Sequence, residues 1–316
     1  MIFLYWLMSL SMILFHVLLI LGMAPLIMVF MERLNGKIQG KPLESSQYVL
    51  QNIKIIYSRI LNFLFKKILS VNTMIYLIII GLLVTVAISI PIFSTNILVN
   101  NNSDFIFVTI LLIFVPFLIF FLVFQDCSLL CFKKSQRIMF QTFMYIPAIL
   151  LIAMVCRLNT KSTELSHIVL FFHNSTSLIN LALCPLFICA CSLFFLVLDI
   201  PDFVNFIEKD GFDGDEKAIL FYISSLQFLI WLSLIAFLIW PQSIAIFDLQ
   251  TKSLMYWLLT AFFGLLAWSG KIVIECIVIS IMRNFLFLSK GYYKIGIATV
   301  LNFVAVVIYF AGLGGI

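Results

Sequence analysis

The chain has 316 residues, of which 64% are hydrophobic and only 10% charged, with a mean hydropathy of +1.19 and a formal net charge of +5. Soluble globular chains average about 25% charged residues, so this composition excludes a water-soluble fold, and no polar stretch is long enough to build a soluble domain. The positive balance lies in short loops, where it reports membrane orientation rather than a nucleic-acid partner.

The opening apolar run, Met1 to about Met31, is too long for a secretory signal core, and the first basic residue is Arg33. It reads as a retained spanning helix, tilted to fit the bilayer. "MERLNGKIQGKPLESSQYVLQNIKIIYSR" follows at 31–59 and breaks the hydrocarbon. Within it, residues 44–67 repeat Val49, Ile53, Ile56, Ile60, Phe63 and Leu64 at helical spacing, with Asn52, Arg59, Asn62 and Lys66 on the other face. Segment 32–70 is therefore expected to hold an amphipathic helix lying along the inner interface.

Beyond it the apolar runs fall at 71–93, 104–125, 136–157, 175–199, 218–240, 253–281 and 292–314, giving eight expected crossings with the first. Helices are expected because a lipid-exposed backbone must satisfy its own hydrogen bonds. The expected fold is an all-α polytopic membrane protein, one integral domain over 1–316. Lysine and arginine cluster on one side, in the loops after the odd-numbered crossings: seven lie between Arg33 and Lys67, followed by Lys133, Lys134, Arg137, Lys209, Lys217, Arg283, Lys290 and Lys294. The other side has only Arg157, Lys161 and Lys252. Both termini are thus expected on the outer face.

The seven cysteines lie in or beside apolar stretches, and the Cys184, Cys189 and Cys191 group reads as buried thiols. Neither a metal nor a disulfide framework is expected. The histidines His16, His167 and His173 are scattered and form no ligand set. The acidic loop "DFVNFIEKDGFDGDEK" at 202–217 misses calcium-loop spacing and reads as solvated, touching a partner. Lys271 and Glu275 are one helical turn apart inside the seventh crossing. They are the candidate ion-path pair, since charge at depth is costly and marks functional positions.

Several passages, in order, resemble one family. Arg33, Gly36, Gln39 and Pro42 stand in a passage similar to the one closing the first helix in the NADH dehydrogenase subunit 1 family of respiratory complex I. That family's relative, formate hydrogenlyase subunit 4, is the nearer branch. "KKSQRIMFQTFMYIPAILL", with Arg137, resembles its Ser–Arg passage before Ala–Glu–Pro. "LVLDIPDF" keeps the Ile–Pro of a later motif as Ile200 and Pro201, and "GFDG" keeps a glycine as Gly214. "SIMRNFLFLSKGYYKIG" is similar to the basic loop after the seventh helix.

The resemblance implies an anchor and coupling subunit, not catalytic alone, in a bacterial or mitochondrial inner membrane. It implies a cavity or docking surface at Arg33, Gly36, Gln39, Pro42, Arg137, Asp199, Pro201 and Gly214. No cofactor is expected on the chain itself. A quinone would enter the cavity, with iron–sulfur clusters in a peripheral redox subunit and antiporter-like subunits alongside. Ile146, Leu196 and Gly211 replace family glutamates, and Asp199 replaces an arginine. Alkyl groups cannot relay protons. Two other readings therefore stand beside coupling: a scaffold that has lost catalysis, and a secondary transporter, for which no paired broken-helix repeat is visible.

Overall fold

A chain this apolar has no water to satisfy its backbone in a bilayer, and the computed structural model answers with helix almost throughout. It describes residues 2–40, 54–55, 57–60, 62, 71–95, 103–126, 136, 139–140, 142–174, 179–198, 200, 214–246, 254–285 and 291–313. Among these run α1 (Ile2–Ile38), α2 (Val71–Ser89), strand β1 (Ser94–Thr95), α3 (Phe105–Asp126) and α4 (Ile146–Thr160). They are followed by α5 (Leu165–Asn174), α6 (Ile179–Val197), α7 (Gly214–Ile239), a 3₁₀ turn at Pro241–Ser243 and strand β2 (Ala245–Ile246). The last two helices are α8 (Leu254–Phe285) and α9 (Gly291–Leu313).

Five described helices are long and apolar enough to cross a membrane: Ser9–Ile38, Phe105–Leu122, Glu216–Ile239, Met255–Asn284 and Tyr293–Ala311. Where the sequence predicts crossings at 71–93, 136–157 and 175–199, the apolar helical stretches counted among the described residues are shorter, Thr73–Ser89, Thr142–Leu158 and Pro185–Phe195. The fold is all-α with five such helices among the described residues, fewer than the eight crossings expected. Helix α5 matches none of the expected crossings. Its Leu165, Ile168, Val169 and Phe172 are buried at the spacing of one helical face.

The centre of the bundle is α7, which is buried at every residue over 218–238, most of its membrane-length stretch Glu216–Ile239. Helices α1, α2, α6 and α8 pack around it, while α9 lies against α6 and α4. The outer surface is apolar, with Phe107, Phe114, Phe262, Phe303 and Phe310 exposed. A bundle with hydrophobic side chains both inside and outside matches a lipid solvent.

Prolines interrupt this backbone at Pro25, Pro116 and Pro185, and at the first two a side chain from a neighbouring helix mends it. Pro25 has no N–H for the carbonyl four residues earlier, Leu21, and Tyr222 of α7 donates its hydroxyl there at 3.2 Å. Pro116 likewise frees the Leu112 carbonyl, to which Gln227 of α7 donates at 3.4 Å. Elsewhere Asn302 of α9 joins three helices: it accepts from Ser192 at 2.8 Å and donates to the Ala148 carbonyl at 3.0 Å.

Part of the expected amphipathic segment is described. Ile60 is buried and Tyr57 half-buried, while Lys54, Ser58, Arg59 and Asn62 are exposed. Tyr57 donates to the Gly22 carbonyl at 2.8 Å and stands edge-on to Tyr222. Partial burial pushes its phenol above the ordinary range, which keeps the proton for that bond. Residues 41–53 and 63–70 of the expected inner segment lie outside the described residues.

At the opposite end, two connections meet in the interior. Strands β1 and β2 pair in parallel, Ser94 with Ala245 and Thr95 with Ile246, and Trp257 donates to the Ser94 hydroxyl at 3.1 Å. Helix α8 approaches this knot at Gly264, where a Cβ would stand 2.8 Å from the Phe93 carbonyl oxygen and 3.0 Å from that of Ser243. Both neighbours are backbone and cannot swing away. Gly264→Ala is expected to cost about 1–3 kcal/mol, the range for overpacking, seen as a lower thermal midpoint in detergent. Gly270→Ala, where nothing stands within 4 Å of the added carbon, should be neutral or stabilising in the same assay.

Candidate functional site

The buried face of α8 carries Trp257, Ala261, Gly264, Trp268, Ile272, Cys276 and Ile279, with Glu275 among them. That spacing turns one stripe toward α7 and α1. Trp268 donates to the Ser233 hydroxyl of α7 at 3.2 Å, fixing the two helices at this depth.

Lys271 follows one turn on. Its ammonium donates to the Ala236 carbonyl at 3.0 Å, the Trp240 carbonyl at 3.0 Å and the Ser243 hydroxyl at 2.7 Å, and it lies 5.8 Å from the centre of the Trp240 ring. These acceptors are the end of α7 and the turn after it, where carbonyls run out of helical donors and the helix dipole is negative. Lys271 is a cation at a helix C-terminus, and all three protons of the ammonium have acceptors.

Glu275, one turn further on, is 1% exposed, and neither carboxyl oxygen has a hydrogen-bond partner among the described residues. The two residues share a helix face as the sequence suggests, but the ammonium reaches toward α7 and does not hydrogen-bond the carboxyl. A buried carboxyl without a donor costs several kcal/mol if it is ionised, and the charge of Lys271 one turn away offsets only part of that cost. His16 is also buried, its ring 5.7 Å from that of Phe93 and its Nε2 without a hydrogen-bond partner among the described residues.

The far end of α8 meets the end of α1. Asn284 donates to the Asn35 side-chain oxygen at 2.7 Å and accepts from Gln39 at 3.1 Å. One turn before, Ser280 contacts the Met31 sulfur at 3.3 Å. Two passages nearly 250 residues apart in sequence, the end of the first helix and "IMRNF", therefore form one polar junction. Arg33 and Gly36 lie in the same last turns of α1, and Gly214 opens α7. Pro42, Arg137, Asp199 and Pro201 lie outside the described residues, as does most of the acidic loop. Ile146 is exposed at the start of α4 rather than turned into the bundle.

Among the described residues, no three of His, Cys, Asp and Glu gather as a metal set, and Cys156, Cys189, Cys191 and Cys276 are free thiols. The site residues that sequence reasoning misses are acceptors and bridges: Trp240, Ser243, Asn35 and Asn284. Polar character alone flags them weakly, because their partners lie on other helices.

This geometry separates the roles of Lys271 and Glu275. Lys271→Met should impair folding and assembly, because it strips the end of α7 of its donors. Glu275→Gln should assemble normally, and adding it to Lys271→Met should not restore assembly. Rescue by the double change, measured as yield of monodisperse protein, would instead mean that the two form a mutual ion pair.

No family model matches the chain, and no curated protein matches it.

Proposed function

We propose that the chain is the membrane-embedded anchor and coupling subunit of a complex-I-like oxidoreductase, nearest in kind to the membrane-bound hydrogenases. It would cross an energy-conserving bacterial or mitochondrial inner membrane eight times with both termini outside, and would be inactive alone. Electron transfer would take place in a peripheral iron–sulfur partner, with quinone at the shared face, and ions would move through antiporter-like neighbours. The single observation that supports this reading most is Glu275, a buried carboxyl with no hydrogen-bond partner among the described residues, within a membrane-length helix. Ionisable groups at depth are expensive and mark ion or proton pathways. The junction of Asn35, Gln39 and Asn284 lends further support, since it joins two of the passages that carry the family resemblance.

A second reading is favoured by a specific observation. Ile146, Leu196 and Gly211 occupy positions where the family has glutamates. On that reading the chain holds such an assembly together without coupling.

Purification of the tagged chain from its native membrane tests the proposal. The expected outcome is recovery with an iron–sulfur protein and at least one antiporter-like subunit, and loss of redox-driven ion translocation in Glu275→Gln while the assembly persists. Intact translocation in that variant would favour the scaffold reading. A monomer that transports a solute unaided would overturn both.

A further inference from the structure

A groove of about 390 Å³ on the bundle surface is lined by Met154, Arg157, Leu158 and Lys161. These four lie along one stripe at the C-terminal end of α4, spaced by three or four residues, so their side chains meet on one face. Two cations thus stand over two apolar side chains. Neither the guanidinium of Arg157 nor the ammonium of Lys161 has a hydrogen bond or ion pair among the described residues, although Glu164 is only three positions from Lys161. Below them the same face stays apolar and exposed through Met154, Leu150 and Ile146. Eight residues of helix cover about 12 Å, close to the hydrocarbon depth of one leaflet, about 15 Å.

Arg157 alone has a simpler explanation, as a cation complementing the end of its own helix. The same charge complementarity reaches Lys161, but it does not account for the backbone of Lys161. It is the C-cap, and its φ of 59° makes it the one non-glycine residue with left-handed backbone among the described residues. Glycine is the usual occupant of that position because a Cβ is disfavoured there. A lysine held in this conformation, beside a second cation with no partner, is a strained residue at a place with room for a ligand.

We propose that this groove is a binding site for an anionic phospholipid. The headgroup phosphate sits between Arg157 and Lys161, and an acyl chain follows Met154, Leu150 and Ile146. Arginine suits this role because its fork presents parallel donors to phosphate oxygens, and the exposed apolar track distinguishes a lipid from a free anion. The inference is independent of the redox reading and of which leaflet the groove faces. It assigns two of the few basic residues found on this side of the chain.

Native mass spectrometry of the full chain, released from detergent with any bound subunits, tests it. Phosphatidylglycerol, phosphatidylcholine and inorganic phosphate are the added probes. Phosphatidylglycerol is expected to remain bound at collision energies that strip phosphatidylcholine. Arg157→Gln and Lys161→Gly should each weaken its retention about fivefold, and the double change should abolish the preference. Lys161→Gly relieves the backbone, so its thermal midpoint should not fall, while Arg157→Lys should keep part of the binding. Equal retention of phosphatidylcholine, an unchanged double variant, or displacement of the lipid by millimolar inorganic phosphate would each overturn the proposal.

Discussion

Every backbone carbonyl inside a bilayer needs a donor supplied by protein, and this constraint organises the interior of the molecule. Proline breaks the supply at Pro25 and Pro116, and the end of α7 breaks it again before Pro241. Each break is met by a side chain from another helix: Tyr222 for Leu21, Gln227 for Leu112, and Lys271 for Ala236 and Trp240. All three repairs involve α7, the most buried helix, either as giver or as receiver. Helix association in lipid has little hydrophobic drive, so such directional bonds, each worth about 0.6–1.7 kcal/mol, count for register and neighbour choice.

This use of polar side chains explains what is unusual about Glu275. The serines of α7 return their hydroxyls to their own helix, as Ser224 does to Leu220 and Ser233 to Leu229. Asn302, Tyr145 and Tyr309 bridge to carbonyls on other helices. Lys271, the obvious counter-charge, is committed to α7. Glu275 therefore remains as a buried acid with no structural task visible in its hydrogen bonding. A group kept at such a cost without a stabilising role is the natural candidate for a chemical one.

Much of the architecture is legible in the sequence because hydropathy and helical periodicity are local. Each of the eight apolar runs overlaps a described helix, five of them long and apolar enough to cross, and Ile60 lies on the buried face read from spacing alone. Length is less legible. The bounds of α4 differ from the expected 136–157: it is set off at Tyr145, just before Pro147, and runs to Thr160 before a left-handed Lys161, while α5 escapes a search for crossings because ten residues cannot span a bilayer. The site is legible in identity but not in partnership. Lys271 and Glu275 stand one turn apart as expected, yet the choice of Ala236 over Glu275 depends on where α7 ends. Similarly, nothing local in Asn35 announces Asn284. The four-residue offset from Pro25 to Leu21 does name a carbonyl in need of a donor, but the donor lies 201 residues away.

A double-mutant cycle on Pro25 and Tyr222 tests the repair principle most directly, read as unfolding free energy in detergent or bicelles. Phenylalanine keeps the ring of Tyr222 against Tyr57 and removes only the hydroxyl; alanine at Pro25 returns the missing N–H. Tyr222→Phe is expected to cost about 0.6–1.7 kcal/mol in the Pro25 protein and close to nothing once Pro25→Ala is present. Equal costs in both backgrounds would contradict the account, because the hydroxyl would then not be serving the carbonyl that the proline leaves open.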